Sequence, residues 1–328
     1  MRSMIRRLKG LFVVLIVLLV ILSWLLVLPG TQPSVTAANE SGGYTLLFCR
    51  QEDCRQPLLA AINASTDIKC AFYDLTDPAT VALLKEKDAD VLVYAANYDG
   101  YGTPVNATRG GLMHDKVCVL DNRTVVTGST NPTVNCYEKN DNNLLIIDGA
   151  ALAQDYLADF QGIKEGIQRA TPYPLIDHTA GNATFRIETY FCPADNCESR
   201  LLDALSGANS TIDFMTFSFT SDPIGKELVN LSAHGIAVRG VFERREESHY
   251  SEYVRLKDAG LDVRLDGNSA TMHHKAFIID NSIVAFGSYN PTASGNTRND
   301  ENMLIIHDPG IAQAFEQEFR RVYADASP

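Results

Sequence analysis

The chain has 328 residues, of which 45% are hydrophobic and 21% charged, a balance typical of a globular protein rather than a disordered one. Its 40 acidic side chains outnumber its 28 basic ones, so the formal net charge is −12. Proteins that bind nucleic acid without sequence preference neutralise phosphates with clustered Lys and Arg, and no such cluster is visible here. The composition therefore counts against nucleic-acid binding, which would need a local basic groove on an acidic body.

The N-terminal segment differs from the rest of the chain. Four basic residues without an acid precede an apolar run at residues 11–28, in which Ser23 is the only clearly polar side chain. This run is long enough to span a bilayer and exceeds the hydrophobic region of a cleaved signal peptide. Because basic flanks stay in the cytoplasm, it predicts a single-pass transmembrane anchor with a cytoplasmic N-terminus. A secreted protein, cleaved near Ala37 or Ala38, is the alternative.

The residues after the run predict a short flexible tether, so we assign 1–43 to flank, anchor and tether together. Without the four basic residues of the flank, 24 Lys and Arg face 40 Asp and Glu, and the exported part has a net charge of −16. An extracytoplasmic body agrees with the seven cysteines. Two cysteine pairs share one spacing, Cys49 with Cys54 and Cys192 with Cys197, and local disulfides are the first interpretation. A zinc site formed by the thiolates of these four cysteines is the second interpretation.

An internal repeat organises the remaining residues. "MHDKVCVLDNRTVVTGSTNPT" aligns with "MHHKAFIIDNSIVAFGSYNPT", and "NDNNLLIIDGAALAQDYLADF" aligns with "NDENMLIIHDPGIAQAFEQEF". The alignment predicts a first copy at 44–170, a linker at 171–184 and a second copy at 185–328.

Within the second copy, helical and strand periodicities alternate. "CESRLLDALSGA" predicts a helix, "TIDFMTFSF" a strand and "IGKELVNLSAHG" a second helix. "IAVRGVFE" and "LDVRLDG" predict strands, and "HHKAFIIDN" with "SIVAFGS" predicts a hairpin before a closing helix. This alternation indicates an α/β fold in which helices cover a largely buried sheet. Segment 240–256 has no clear counterpart in the first copy, and we expect it to border the mouth of a site.

Each copy contains His-x-Lys, then four residues, then Asp, followed by Gly-Ser-x-Asn, and the Asn lies seventeen positions after the His in both copies. The residues are His114, Lys116, Asp121, Ser129 and Asn131 in the first copy, and His273, Lys275, Asp280, Ser288 and Asn290 in the second. On a strand, residues two apart share a face, so each His should project with its Lys, whereas His274 should face the other way. An ammonium and an amide beside an imidazole suit a phosphate. A duplicated structural hairpin without chemistry is the alternative.

This pattern resembles the phospholipase D superfamily, and its second half is most similar to small single-motif endonucleases and mitochondrial cardiolipin hydrolases, which dimerise to complete a site. The resemblance implies two tandem α/β/α repeats with pseudo-twofold symmetry and one active site at their interface. It implies a protein that functions as a monomer, since both half-sites lie in one chain. It further implies catalysis without metal or cofactor, through a phosphohistidine.

The resemblance also implies roles for single residues. His114 and His273 would be the nucleophile and the acid/base, while Lys116, Lys275, Asn131 and Asn290 would hold the phosphoryl oxygens. Ser129 and Ser288 would shape their turns, and Asp121 and Asp280 would be structural. A carboxylate that orients an imidazole is expected at Glu301, but the matching residue of the first copy is Asn142.

That difference predicts unequal histidines. A carboxylate favours the imidazolium form that a general acid needs, whereas an amide orients the ring without holding a proton on it. If each copy pairs internally, His273 with Glu301 is the acid and His114 with Asn142 the nucleophile. Pairing between the copies would reverse these roles. Reduced activity is the alternative interpretation of the asymmetry.

Three classes of function fit the motif. The first is hydrolysis of a phospholipid, which the anchor would bring close to the site. The second is an exported nuclease, which the resemblance supports and the negative charge opposes. The third is a scaffold without activity, which the intact His-Lys-Asn sets oppose.

Overall fold

The computed structural model describes residues 37–327, so the predicted anchor at 11–28 lies outside the described residues. Within the described part of the chain, none of the helices combines the length and the apolar character needed to cross a membrane.

The first half of the described chain forms a mixed sheet flanked by helices. Its strands follow the order β2-β8-β7-β6-β3-β4-β5, in which β3, β4 and β5 are parallel and the other neighbours antiparallel. The elements are β1 (Ala37–Ser41), β2 (Tyr44–Cys49), α1 (Arg55–Ala64), β3 (Ile68–Phe72), α2 (Pro78–Glu86), β4 (Asp90–Tyr94), β5 (Thr103–Val105), β6 (Lys116–Leu120), β7 (Thr124–Gly128), α3 (Val134–Glu138), β8 (Asn142–Asp148) and α4 (Ala150–Glu165).

The second half repeats this topology. Its sheet follows the order β10-β16-β15-β14-β11-β12-β13, with β9 and β1 added beyond β10. The elements are β9 (Leu175–Ala180), β10 (Ala183–Cys192), α5 (Cys197–Ser206), β11 (Thr211–Thr216), α6 (Asp222–Ala233), β12 (Ala237–Phe242), α7 (Glu252–Asp258), β13 (Asp262–Leu265), β14 (Lys275–Ile279), β15 (Ile283–Gly287), α8 (Ala293–Thr297), β16 (Glu301–His307) and α9 (Pro309–Asp325).

Strand alternation explains why both faces of each sheet are covered. In β6, Val117 and Val119 join the core shared by the two halves, whereas Cys118 and Leu120 join a core on the outer face. The shared core contains apolar residues of α4 and α9, and α1 and α2 cover the outer face of the first sheet. Helices α5, α6 and α7 cover the outer face of the second sheet. The α/β fold with helices over a buried sheet is therefore confirmed.

Part of the predicted tether and part of the predicted linker are strands. Residues 37–41 form β1, which pairs in parallel with β9 at 175–180, within the segment predicted to be a linker. The buried His178 side chain lies beside Glu40, and the Glu40 carboxylate accepts a hydrogen bond from the Ala151 amide at the start of α4 (2.7 Å). The flexible interpretation of residues 37–41 is wrong, because this segment pairs with β9 and its Glu40 side chain has partners in His178 and Ala151.

The two short-spaced cysteine pairs form separate local disulfides, Cys49–Cys54 and Cys192–Cys197, so these four cysteines are not gathered around a metal. A third disulfide, Cys70–Cys118, joins β3 to β6 and was not expected from spacing. Cys136 is the one free cysteine among residues 37–327, and it is buried.

Candidate active site

The two motif histidines lie just before a strand rather than within it. β6 begins at Lys116 and β14 begins at Lys275, so each histidine occupies the extended segment that leads into its strand. The expectation of a strand that includes His114 and His273 is wrong by two residues. At these two positions, the backbone amides donate hydrogen bonds to the other copy.

Each histidine is held by the opposite copy. The His114 amide donates to the Asp300 carbonyl (2.9 Å), and the His273 amide donates to the Asp141 carbonyl (2.8 Å). The two contacts are equivalent, because His114 aligns with His273 in the repeat and Asp141 aligns with Asp300. The two half-sites therefore meet at one seam within a single chain.

The side chains cross the same seam. His114 Nδ1 lies 2.7 Å from Glu301 Oε2, and His273 Nδ1 lies 2.9 Å from Asn142 Oδ1. The predicted pairing within each copy is wrong. The sequence intervals fit either pairing. The backbone hydrogen bonds that join residues 114 and 300, and residues 273 and 141, bring each ring to the partner in the other copy.

The hydrogen bonds of His273 fix its tautomer. Its Nδ1 also lies 3.1 Å from the backbone carbonyl of Ser129, which can only accept. Nδ1 must therefore carry the hydrogen, and Nε2 of the neutral ring keeps its lone pair. Asn142 is itself oriented, because its Nδ2 donates to the Cys136 carbonyl (3.1 Å) and its Oδ1 accepts from Ser129 Oγ (3.1 Å).

The ring of His114 has a different partner. Glu301 is buried and also accepts from Ser288 Oγ (2.8 Å) and Asn299 Nδ2 (3.0 Å). Burial raises the pKa of Glu301 to about 7, while burial and the neighbouring ammonium groups of Lys116 and Lys275 lower the pKa of His114 well below its ordinary value. Burial and the two lysines therefore favour the neutral form of the His114 ring before an anion binds. An anion that neutralises the lysines would raise this pKa and allow the Glu301 carboxylate to stabilise an imidazolium.

Two buried lysines make the centre of the site electropositive. Lys116 and Lys275 are each 2% exposed, and their Nζ atoms donate to the carbonyls of His114 and His273. Burial lowers the pKa of Lys116 to about 8, and burial together with Lys116 lowers the pKa of Lys275 well below its ordinary value. Both lysines are buried, and Lys116 disfavours the charged form of Lys275. A bound oxyanion such as a phosphate would stabilise their ammonium forms.

The asparagines of the two Gly-Ser-x-Asn turns are buried, like the two lysines. Asn131 and Asn290 are buried, and Asn290 Oδ1 is near the Ser218 amide (3.4 Å). The glycines allow each turn to approach the neighbouring strand closely. Gly128 has φ 137°, which favours glycine, and a Cβ there would lie only 2.4 Å from the Asn143 carbonyl oxygen. Gly287 is equivalent, with φ 154° and 2.3 Å to the Asn302 carbonyl oxygen.

The motif aspartates lie elsewhere. Asp121 and Asp280 occupy left-handed hairpin turns with φ 52°. Asp121 Oδ1 accepts from the amides of Thr66 and Asp67, and Asp280 Oδ1 accepts from the amides of Ser210 and Thr211. These carboxylates fasten the hairpins to the loops before β3 and β11.

Sequence reasoning missed the aromatic flank of the site. The ring of Tyr73 meets that of His114 edge-on at a centroid distance of 4.8 Å, and Phe217 meets His273 in the same way at 4.8 Å. Both aromatics occupy equivalent positions of the repeat, immediately after β3 and β11. That repeated aromatic position was the available signal.

His274 is separated from His273, as alternation predicts. Its ring contacts Asn143 Nδ2 (3.0 Å) and Glu318 Oε1 (3.1 Å), both buried under the seam. The equivalent residue of the first copy, Asp115, accepts from Asn302 Nδ2 (2.6 Å). The start of segment 240–256 touches the second motif, since Glu243 Oε2 accepts from the Met272 amide (2.7 Å).

Comparison with known proteins agrees with the duplicated architecture. A family model described as "Cardiolipin synthase, PLD-like domain" matches residues 46–164 and again residues 201–323. A mitochondrial cardiolipin hydrolase of Chlamydomonas reinhardtii is 33% identical over 142 residues, which cover 40% of this chain and 63% of that protein. A phospholipase D of Rickettsia conorii is 30% identical over 135 residues, which cover 41% of this chain and 68% of that protein.

A solved structure extends the likeness to both copies at the level of the fold. Phosphatidylserine synthase of Haemophilus influenzae Rd KW20 matches with a TM-score of 0.63 at 14% identity, covering 87% of this chain and 89% of that chain.

Proposed function

Because the chain belongs to the phospholipase D superfamily, with one PLD-like domain in each copy, we propose that it is a membrane-anchored phosphodiesterase that hydrolyses a phospholipid through a phosphohistidine. The observation that carries this proposal is the crossing of the seam by both histidines. His114 and His273 each take their Nδ1 partner from the other copy, so a single chain contains a complete pair.

The first step assigns the nucleophile to His273. Its Nδ1–H donates to Asn142 Oδ1 and the Ser129 carbonyl, and Nε2 therefore offers its lone pair to phosphorus. As the N–P bond forms, the bond from phosphorus to the leaving oxygen breaks and its electron pair stays on that oxygen. His114, as imidazolium beside Glu301, gives its Nε2 proton to the leaving oxygen and releases an alcohol.

The second step restores the enzyme. Neutral His114 removes a proton from water, the water oxygen attacks phosphorus, and the N–P bond breaks with its electrons returning to His273 Nε2. The products are a phosphomonoester, which for a phospholipid is a phosphatidic acid, and an imidazolium on His114 that is ready for the next cycle. In both steps the two lysines and Asn131 and Asn290 stabilise the phosphoryl oxygens.

Lipid is the proposed substrate class for three reasons. The curated relatives with the matching segments are named as a cardiolipin hydrolase and a phospholipase D. The exported part has a net charge of −16, which repels a polyanion such as DNA but not a zwitterionic bilayer. The apolar run at 11–28 would hold the N-terminus in the cytoplasm and the site outside, close to the bilayer.

The experiment offers the purified full chain both phospholipid vesicles and single-stranded DNA, without added metal. We expect phosphatidic acid from the vesicles and no shortening of the DNA. The His114→Ala variant should release neither product at a measurable rate. Cleavage of DNA without cleavage of lipid would replace this function with that of an exported nuclease.

A second measurement assigns the histidines. Quenching with detergent at alkaline pH, which preserves the N–P bond, during turnover of a substrate labelled with radioactive phosphorus should leave label on the peptide that contains His273. Label on His114 instead would reverse the assigned roles.

A further inference from the structure

A single arginine connects the two chain segments that meet at His273. Arg321 Nη2 donates to Asp141 Oδ1 (2.5 Å). The same guanidinium binds the Glu318 carboxylate, with Nη2 2.6 Å from Oε1 and Nε 2.8 Å from Oε2. Arg321 and Glu318 belong to α9 of the second copy, whereas Asp141 lies just before β8 of the first. The guanidinium therefore bridges the seam.

One end of this bridge holds the segment that carries Asn142. The buried Asp141 carboxylate binds Arg321, and the Asp141 carbonyl accepts a hydrogen bond from the His273 amide (2.8 Å). The next residue, Asn142, accepts from His273 Nδ1 (2.9 Å). A single ion pair therefore fixes the segment that contacts both the backbone and the ring of His273.

The other end of the bridge holds the segment that carries His273. Glu318 Oε1 lies 3.1 Å from Nε2 of His274, which directly follows His273. His274 Nδ1 in turn lies 3.0 Å from Asn143 Nδ2, and both of these side chains are fully buried. Burial alone would raise the pKa of Glu318, but its hydrogen bonds with Arg321 and His274 lower it to about 2. At neutral pH, Glu318 is therefore a buried carboxylate with the guanidinium as its counterion.

A second arginine touches Asp141 without forming the bridge. Arg50 Nε lies 2.9 Å from Asp141 Oδ1, and Arg50 Nη2 lies 3.8 Å from Asp325 Oδ2. Loss of Arg321 would therefore leave Asp141 a counterion but would break its connection to His274.

The first copy has a different residue at the position of the bridge. Gly162 occupies the position of Arg321 in the aligned repeat. A glycine has no side chain that could join the counterparts of Asp141 and Glu318. The arginine bridge is therefore a property of the half-site that contains His273.

We propose that Arg321 is a positioning residue for the nucleophile, which holds the His273 ring against its partner Asn142. The inference rests on the proposed function, in which Nε2 of His273 attacks phosphorus. Asn142 and the Ser129 carbonyl fix the direction of the Nε2 lone pair, so a shift between the two segments would turn that lone pair away from phosphorus. A misplacement of about 1 Å can lower a rate roughly 100-fold.

The test isolates the step in which the N–P bond forms. The full chain in detergent micelles, in excess over substrate, is given the p-nitrophenyl ester of a phosphatidic acid. The p-nitrophenolate departs with its electron pair and without a proton, and stopped-flow absorbance gives the single-turnover rate constant. We expect Arg321→Ala to lower this rate constant about 100-fold, because the lone pair of His273 is misdirected. The enzyme concentration that gives half the maximal rate should stay close to the wild-type value, since the groups that hold the phosphoryl oxygens are unchanged.

Two further measurements separate positioning from folding. The Arg321 side chain is 24% exposed, so methylguanidinium added to Arg321→Ala can reach the vacated position and should raise the rate constant. Arg321→Lys keeps the charge but not the fork of donors, and should lower the rate constant about tenfold, the equivalent of one charge-assisted hydrogen bond. If Arg321→Ala does not fold, as judged by its urea midpoint, Arg321→Lys carries the test.

The neighbouring arginine of the same helix provides the matched control. Arg320 is 69% exposed and pairs with Glu316 (2.7 Å). Arg320→Ala removes the same charge without touching the bridge, so it should keep the wild-type rate constant.

The outcomes distinguish the two levels of the proposal. A wild-type rate constant in the Arg321 variants, an equal loss in Arg320→Ala, or a loss in folded Arg321→Ala that methylguanidinium does not reverse overturns the positioning role. Each of these results leaves the phosphodiesterase intact. A wild-type chain that releases no p-nitrophenol and hydrolyses no phospholipid overturns the proposed function as well.

Discussion

At the scale of single residues, the two histidines differ in the group that accepts their Nδ1 hydrogen. A carboxylate, Glu301, accepts from His114, and a neutral amide, Asn142, accepts from His273. An imidazolium is stabilised by the first partner far more than by the second, because only the first carries charge. In the proposed mechanism, this single difference gives the two otherwise equivalent rings separate tasks.

The difference predicts how Glu301→Gln depends on the leaving group. Loss of the carboxylate should lower kcat for an alcohol leaving group about 100-fold, since His114 would no longer hold the proton that the alcohol needs. A p-nitrophenyl leaving group departs without a proton, so the first-turnover burst of p-nitrophenol should be nearly retained. Stopped-flow absorbance measures the burst. Equal loss for both leaving groups would show that Glu301 only supports the fold.

At the scale of elements, the turns after β7 and β15 depend on glycine. Gly128 and Gly287 combine positive φ with backbone oxygens of β8 and β16 at 2.4 and 2.3 Å from an added Cβ. We expect Gly128→Ala and Gly287→Ala each to lower the free energy of unfolding by about 2 kcal/mol and to displace the neighbouring Asn. Urea unfolding and kcat measure the two effects. Gly43→Ala, where a Cβ meets nothing within 4 Å, is the matched control and should change neither.

Disulfides at this scale should contribute unequally. The Cys70–Cys118 bridge closes a sequence separation of 48, and the Cys49–Cys54 bridge closes one of 5. By loop entropy, replacing the first pair with alanines should cost about 4 kcal/mol and the second about 2 kcal/mol. Urea unfolding of the two double variants under non-reducing conditions gives the comparison. A larger loss of unfolding free energy from the Cys49–Cys54 pair would contradict this order. It would mean that the position of Cys49, opposite Asn142 in the β2–β8 register, matters more than the length of the closed loop.

The elements also show how far sequence reasoning reaches. Helices and strands with strong periodicity, such as "GIAQAFEQEFRRVYAD" and "KAFII", could be predicted because each buries an apolar face that its own residues define. The partners of His114 and His273 could not, because an internal repeat gives the same intervals for either pairing. β1 could not either, since "AANES" has no apolar alternation and is ordered by contacts with β9. Cys70 and Cys118 are brought together by antiparallel pairing of β3 with β6, which spacing does not reveal.

At the scale of the whole molecule, buried carboxyls tie stability to acidity. Burial is the first cause that raises the pKa of four of them to about 7, namely Asp115, Asp155, Glu252 and Glu301. Their unfolded values are near 3.8 for Asp and 4.5 for Glu, so the native state binds more protons between these values and 7. The free energy of unfolding should therefore fall as pH rises through this window. His114 and His273, whose pKa values are lowered, oppose the trend but are fewer.

The measurement is urea unfolding at about pH 5 and about pH 7.5, with greater stability expected at the lower pH. Asp155→Asn should flatten the dependence, because the amide mimics the protonated acid. Stability that rises across the window would contradict the raised values. Below about pH 4 the trend should reverse, as Asp280 and Glu318, whose pKa values are lowered to about 2, lose their charge.

The crossing of the seam has a consequence for how such a site can be altered. In a dimer of identical chains, one substitution at the position of Asn142 would appear beside both imidazoles at once. Here positions 142 and 301 are two different residues of one polypeptide, and each contacts the imidazole of the other copy. In the proposed mechanism, the proton donor and the nucleophile can therefore be altered independently, and exchanging the residues at 142 and 301 should exchange the tasks of the two rings.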